Sequence, residues 1–177
     1  MENYSKEYLR RCQKQLESWN APLSEWERKR VYDVRDDDKD APLHKCELCG
    51  CENVRYVHVM DHQFYFEEVF VGCICAGVMQ DDILKAQECE RRVKNRTRRR
   101  KNYLKKQWTE IDRGVYARQF RLEYKGKELF IKITSRNLHW AFCDGRSVCR
   151  YKGRPIDNFY AAVYAAFDLA DPVEDIL

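Results

Sequence analysis

Four cysteines stand at metal-ligand spacing: Cys46, Cys49, Cys73 and Cys75, in the pattern C-x2-C-x23-C-x-C. Zinc favours four soft ligands in a tetrahedron, and one tight turn can present two thiolates that are two residues apart. Gly50, directly after Cys49, supplies the backbone freedom such a turn uses. The second pair follows Val71-Gly72 and precedes a helical pattern, where free N–H groups and the helix dipole favour thiolates. The chemistry implied is a structural Zn2+ site joining a knuckle, a hairpin and a helix start. The other cysteines, Cys12, Cys51, Cys89, Cys143 and Cys149, are scattered and read as small buried hydrophobes. Nine cysteines is an odd number, and the opening MENYSKEYLRR lacks a signal-peptide core. A reducing cytoplasm therefore fits better than a disulfide framework.

CELCG, a hairpin and then VGCICAG resemble treble-clef zinc fingers over residues 44–108. The same stretch is similar to a group of short bacterial proteins without assigned function. The usual treble clef carries C-x-x-C as its second pair, so C-x-C here leaves His44, Cys51, His58 and His62 as substitute ligands. Some treble clefs are HNH (ββα-metal) nucleases, and YVHVMDH after the knuckle resembles the front half of that motif. The resemblance implies His58 or His62 as catalytic candidates. However, the helix after Cys75 offers no histidine for the catalytic metal, only Asp81 and Asp82. The expectation is a non-enzymatic protein, with the nuclease as an alternative. No P-loop, dinucleotide fingerprint or Ser/His/Asp set points to other enzymes.

Between Arg91 and Lys106, RRVKNRTRRRKNYLKK holds ten basic residues and no acid, which leaves −6 on the rest of a chain with net charge +4. Arg91, Arg92, Lys94, Arg96, Arg98, Arg99, Arg100, Lys101, Lys105 and Lys106 spread around a helix, which favours phosphate contact over base reading. The expected partner is DNA or RNA. A phage or bacterial adaptor or inhibitor whose basic helix meets an acidic protein is the alternative. Within the chain, Asp33–Asp40 (DVRDDDKD) could also neutralise the block.

The elements that must position these groups follow from periodicity. Ser5 caps a helix to about Trp19 with Tyr8, Cys12, Leu16 and Trp19 on one face. Ser24 and Glu27 form a capping box for a second helix to about Val34. Strands at Val54–Met60 and Phe64–Val71 precede a helix from Ala76 to about Trp108, with a break at Asp81 or Asn95 open. Beyond it, a ββββα pattern turns at Lys125-Gly126 and Asp144-Gly145, and Asp157 caps the last helix. Phe120, Leu122, Leu129, Ile131 and Ile133 share one sheet face, with Leu138, Trp140, Phe142 and Tyr151 expected on it too. The opposite face would carry Arg121, Lys132, His139, Arg146 and Arg150 beside Gln119 and Phe130. A basic sheet backed by a helix resembles, in topology, phage integrase arm-binding and plant AP2 domains.

The fold class expected is α+β: N-terminal helices over residues 1–40, a zinc finger with its long basic helix over 41–108, and a four-stranded antiparallel sheet with one covering helix over 109–177. No window approaches the roughly 18–20 apolar residues of a membrane span, so no membrane is expected as a partner.

Overall fold

The computed structural model describes residues 5–111 and 118–173. It is an α+β protein with helices and several antiparallel sheets. The chain divides into two compact units, one ending at Thr97 and one starting at Arg98, and the division falls inside a helix. No helix of the described residues is long and apolar enough to cross a membrane.

In the first unit, α1 (Lys6–Ser18) is capped by the Ser5 side chain, which accepts a hydrogen bond from the Tyr8 N–H, and it buries Cys12 and Leu16. The second expected helix is instead a strand, β1 (Glu27–Asp33). Glu25 sits at φ +64°, which breaks a helix at its first turn. The capping box is a local preference, and strand pairing with β2 (Tyr56–His62) outweighs it. Val31 and Asp33 of β1 are buried. β2 is the central strand, flanked by β1 and by β3 (Tyr65–Val71). The β2–β3 hairpin brings His58 opposite Val71 and Met60 opposite Val69.

α2 (Cys73–Gln80) ends at Asp81, which adopts φ +56°, and α3 (Ile83–Tyr103) follows. The expected long helix is thus broken at Asp81, one of the two places its sequence left open, and it stops at Tyr103 rather than Trp108. The turn between α2 and α3 is so tight that a Cβ on Gly77 would lie 2.5 Å from the Ile83 Cα.

The second unit contains a five-stranded sheet in the order β4 (Thr109–Ile111), β5 (Arg118–Tyr124), β6 (Lys127–Ile133), β7 (His139–Cys143) and β8 (Arg146–Val148). The expected four strands gain β4, whose three residues are too few to show a period. Lys125-Gly126 and Asp144-Gly145 turn with positive φ at both residues, the geometry of type I′ hairpins. Cys143 therefore pairs with Arg146, as that turn dictates, but β8 ends at Val148. A separate ribbon, β9 (Arg150–Tyr151) and β10 (Arg154–Pro155), follows, and then α4 (Phe159–Ala170). Asn158, not Asp157, caps α4: its side chain accepts from the Ala161 N–H.

The core lies between the sheet and α4, where Phe120, Leu122, Leu129 and Ile131 meet Ala162, Ala166 and Phe167. One face assignment is corrected. On β7 it is His139, Ala141 and Cys143 that are buried, while Trp140 and Phe142 are half-buried on the other face. Small residues at 141 and 143 let the alanine-rich α4 come close, which bulky Trp140 and Phe142 would prevent. Directly paired residues share a face. Gln119, Lys132 and Trp140 therefore line up on the outer side, next to Arg121, Phe130 and Phe142.

Gly77→Ala should destabilise the first unit by about 1–3 kcal/mol, because the added methyl meets backbone rather than a flexible side chain. Thermal denaturation checks this; a midpoint within a degree of the parent would show that the α2–α3 turn yields easily. In the second unit, Asp171 is buried and takes a bidentate hydrogen bond from Arg99 at 2.6 and 2.8 Å. Burial alone would raise its pKa, but Arg99 and Lys125 outweigh burial and lower it. A depressed folded-state pKa stabilises above the ordinary carboxylate range and is lost as pH falls through the lowered value. Asp171→Asn should therefore weaken the unit at neutral pH and flatten its loss of stability in acid. Urea unfolding at neutral and acid pH reads this directly.

Candidate metal centre

The knuckle is built as its spacing implies. The Cys46 N–H donates to the Cys51 carbonyl at 2.7 Å, the Gly50 N–H donates to the Cys46 carbonyl at 2.8 Å, and Gly50 takes φ +76°. Cys75, in the first turn of α2, meets it. The sulfurs of Cys46, Cys49 and Cys75 lie within 4.8 Å of one another and could hold a metal ion.

Cys73 does not join them. Residues i and i+2 on a helix point about 200° apart, so Cys73 and Cys75 face opposite sides of α2. Cys73 groups instead with His58 of β2 and Glu90 of α3. The expected four-cysteine set is therefore split by the geometry of its own C-x-C pair.

A different thiol stands beside Cys75. Cys12, fully buried on α1, is near enough to Cys75 to shift its proton affinity, although it lies outside the group of three sulfurs within 4.8 Å, and the Tyr8 hydroxyl lies 2.9 Å from the Cys75 sulfur. Sequence reasoning passes Cys12 over as a small hydrophobe. The available signal is its position in the middle of the apolar face of α1, between Tyr8 and Leu16.

The electrostatics of this cluster follow from shared protons. Hydrogen bonds from Cys75 and from the backbone N–H groups of Cys49 and Gly72 bring Cys46 down to about 5, against the opposing effect of burial. The bond with Cys75 also lowers Cys12, to about 7. Cys75, hydrogen-bonded to Cys12 and Cys46, is raised well above the ordinary thiol value. Burial raises Cys49 as well, so the sulfurs of this cluster differ in proton affinity, and a group of sulfur donors suits a soft cation.

In the second group, burial lowers His58 and raises Cys73 to about 12. Burial would raise Glu90 as well, but His58 and Lys94 outweigh it and lower it. The His58 Nε2 is 3.5 Å from a Glu90 oxygen, yet neither ring nitrogen has a hydrogen-bond partner among the described residues. The other substitute ligands lie in neither group among the described residues. The His62 Nδ1 accepts from the Phe64 N–H at 3.1 Å, and its ring packs on Trp26; Cys51 is exposed; His44 bridges to Val54. Asp82 caps α3 by accepting from the Lys85 N–H, and Asp81 ends α2.

The basic block is unevenly committed. Arg91 and Arg92 pair with Glu88, and Lys94 pairs with Glu90. Arg96 and Arg100 are buried, and Arg100 donates to the Tyr151 hydroxyl and lies over the Tyr164 ring. Arg99 holds Asp171. Arg98, Lys101, Lys105 and Lys106 are exposed. On the sheet, Arg121 pairs with Glu128 and Lys132 lies over the Phe142 ring. Besides His139, which is buried, two assignments to the outer face are corrected. Arg146 sits opposite buried Cys143, on the α4 side, and donates to the Leu169 carbonyl. Arg150 is in the β9–β10 ribbon and donates to the Gly153 carbonyl.

Compared with known proteins, the chain matches no family model, no curated protein and no solved structure.

Proposed function

We propose that this is a zinc-stabilised nucleic-acid-binding protein whose second unit holds a single strand on the outer face of its sheet. The observation that carries the reading is the make-up of that face. Phe130, Trp140 and Phe142 remain half-buried there, with the Trp140 and Phe142 ring centroids 6.4 Å apart and their planes inclined by 28°. The Lys132 ammonium lies 4.6 Å from the Phe142 ring, and Arg121 pairs across from Phe130. Aromatic rings in a row give unpaired bases a platform, and neighbouring cations meet the phosphates. Stacking of this kind is worth about 1–3 kcal/mol per base.

Charge supports the same partner. Residues 98–177 contain 17 Lys and Arg against 10 Asp and Glu, a net +7, whereas residues 1–97 contain 16 against 19, a net −3. A basic half joined to an acidic one suits a polyanion bound by the basic half. Arg98, Lys101, Lys105 and Lys106 belong to that half and add to its field, while Arg99 and Arg100 serve the fold.

In the first unit, Zn2+ is held by Cys46, Cys49 and Cys75, with Cys12 as the fourth sulfur, in a treble-clef-like arrangement of knuckle, hairpin and helix start. The closeness of the Cys46, Cys49 and Cys75 sulfurs, and the burial of Cys12 near Cys75, support that set. When bound, the ion contributes its binding energy to folding.

Two outcomes follow. Cys12→Ser should lose metal and stability as Cys46→Ser does, as read by elemental analysis and by thermal unfolding with and without a chelator. A Cys12→Ser protein with full metal content would remove Cys12 from the ligand set. Trp140→Ala and Phe142→Ala should each weaken binding to single-stranded oligonucleotides about 5- to 100-fold without unfolding the protein, since both rings lie outside the core. Replacing Arg98, Lys101, Lys105 and Lys106 with glutamine should make the slope of log affinity against log salt shallower by about 0.7 for each single-strand phosphate that is no longer neutralised. Unchanged affinity in both aromatic variants would sink the platform, and absence of oligonucleotide binding at low salt would favour an acidic protein partner.

A further inference from the structure

We propose a second metal site in the first unit, formed by His58 on β2, Cys73 at the start of α2 and Glu90 on α3. It suits a divalent transition metal of the zinc class, with one coordination position left for water or a small anion. It is independent of the Cys46, Cys49 and Cys75 cluster and shares no ligand with it.

Geometry is the first support. One ligand atom from each residue lies within 4.8 Å of the other two. The His58 Nε2 and Glu90 Oε2 are 3.5 Å apart. Metal–nitrogen and metal–oxygen bonds of about 2.0–2.2 Å, at a tetrahedral angle, separate two ligand atoms by roughly 3.4 Å. The pair is thus spaced as two ligands of one ion. A nitrogen, a sulfur and a carboxylate oxygen on three different elements make the mixed donor set that three-ligand zinc sites use.

The second support is the state of His58. Its side chain is fully buried, and neither ring nitrogen has a hydrogen-bond partner among the described residues. A buried polar group without a partner is rare and is kept for a reason. A simple His–Glu pair would answer it only with an aligned hydrogen bond, which is missing here although the two atoms are close. An ion between Nε2, the Cys73 sulfur and the Glu90 oxygen gives Nε2 its partner and explains why a thiol is gathered there as well.

The outer shell is consistent. Glu90 Oε1 is engaged by the Lys94 ammonium at 2.5 Å, and that ammonium also rests 5.0 Å from the centre of the Tyr56 ring. Lys94 therefore orients the carboxylate and leaves Oε2 turned toward His58, as outer-shell partners of metal ligands do.

The test uses the full chain. Elemental analysis of the purified protein should give two zinc equivalents, and Co2+ substitution should show two thiolate-bound sites. Glu90→Gln keeps the size of a side chain that is not fully buried, and should reduce the content to one equivalent. Its affinity for the second Co2+ should fall more than about 100-fold, beyond what removal of an outer-shell partner costs. His58→Gln should do the same, and circular dichroism on both variants reports whether the fold is kept. One equivalent in the parent that survives both substitutions overturns this site and leaves the cysteine cluster standing. One equivalent that is lost in Glu90→Gln supports this site and overturns the cluster instead. Two equivalents retained in both variants overturns the proposed ligands.

Discussion

Two side chains separated by a single residue on a helix cannot face the same point, and the first unit is arranged around that constraint. Cys73 and Cys75 begin α2 and diverge to its two sides. Cys75 turns toward the knuckle and α1, where Cys46, Cys49 and Cys12 meet it. Cys73 turns toward the central strand and α3, where His58 and Glu90 stand. One helical turn thereby links the knuckle, α1, β2 and α3, four elements that local sequence would leave loosely connected. The close approach at Gly77 belongs to the same arrangement, since it lets α3 fold back immediately after α2 and bring Glu90 within reach.

The arginine-rich helix shows why a charge count is a poor guide to a binding surface. Of the ten basic residues between 91 and 106, three in the middle are the most constrained, although Arg98 between them is exposed: Arg96 and Arg100 are buried, and Arg99 is held by Asp171. A guanidinium is planar and weakly hydrated, so it can be packed against a ring while still donating hydrogen bonds. Arg100, placed over Tyr164 and bonded to Tyr151, is used in that way. Such residues are core chemistry written in basic letters. Arg98, Lys101, Lys105 and Lys106 are the exposed members offered to a partner, so the distinction between structural and available charge is made by burial and pairing and not by sequence density.

What the sequence disclosed depended on how local its cause was. The Ser5 cap, the β2–β3 hairpin, the two Lys-Gly and Asp-Gly turns and the register they impose were all legible, because each is decided within a few residues. The segment at Glu27–Asp33 was not: its capping box is a sound local signal, but its partner strand lies about thirty residues further along and carries the decision. The inward face of β7 was hidden for a similar reason. Hydrophobicity favours Trp140 and Phe142 for the core, and only the approach of alanine-rich α4 selects Ala141 and Cys143 instead. At the candidate metal centre the knuckle was readable, while the nearness of Cys12 to Cys75 required knowing that α1 lies against α2.

The two units differ in what holds them together. The second has an aromatic core in the ordinary sense: Tyr103, Tyr124 and Phe167 meet at centroid distances of 5.1 to 6.0 Å, with the alanines of α4 closing over them. The first counts Cys12, Cys46 and Cys75 among its buried core residues, beside Leu16, Met60 and Met79. Neighbouring thiols that drive one another's proton affinities apart, Cys46 down and Cys75 up, are poor substitutes for methyl groups, because a charge in an apolar interior is costly unless it is paired. Under the proposed zinc reading, metal binding and packing would be the same event in the first unit, whereas the core of the second rests on apolar burial.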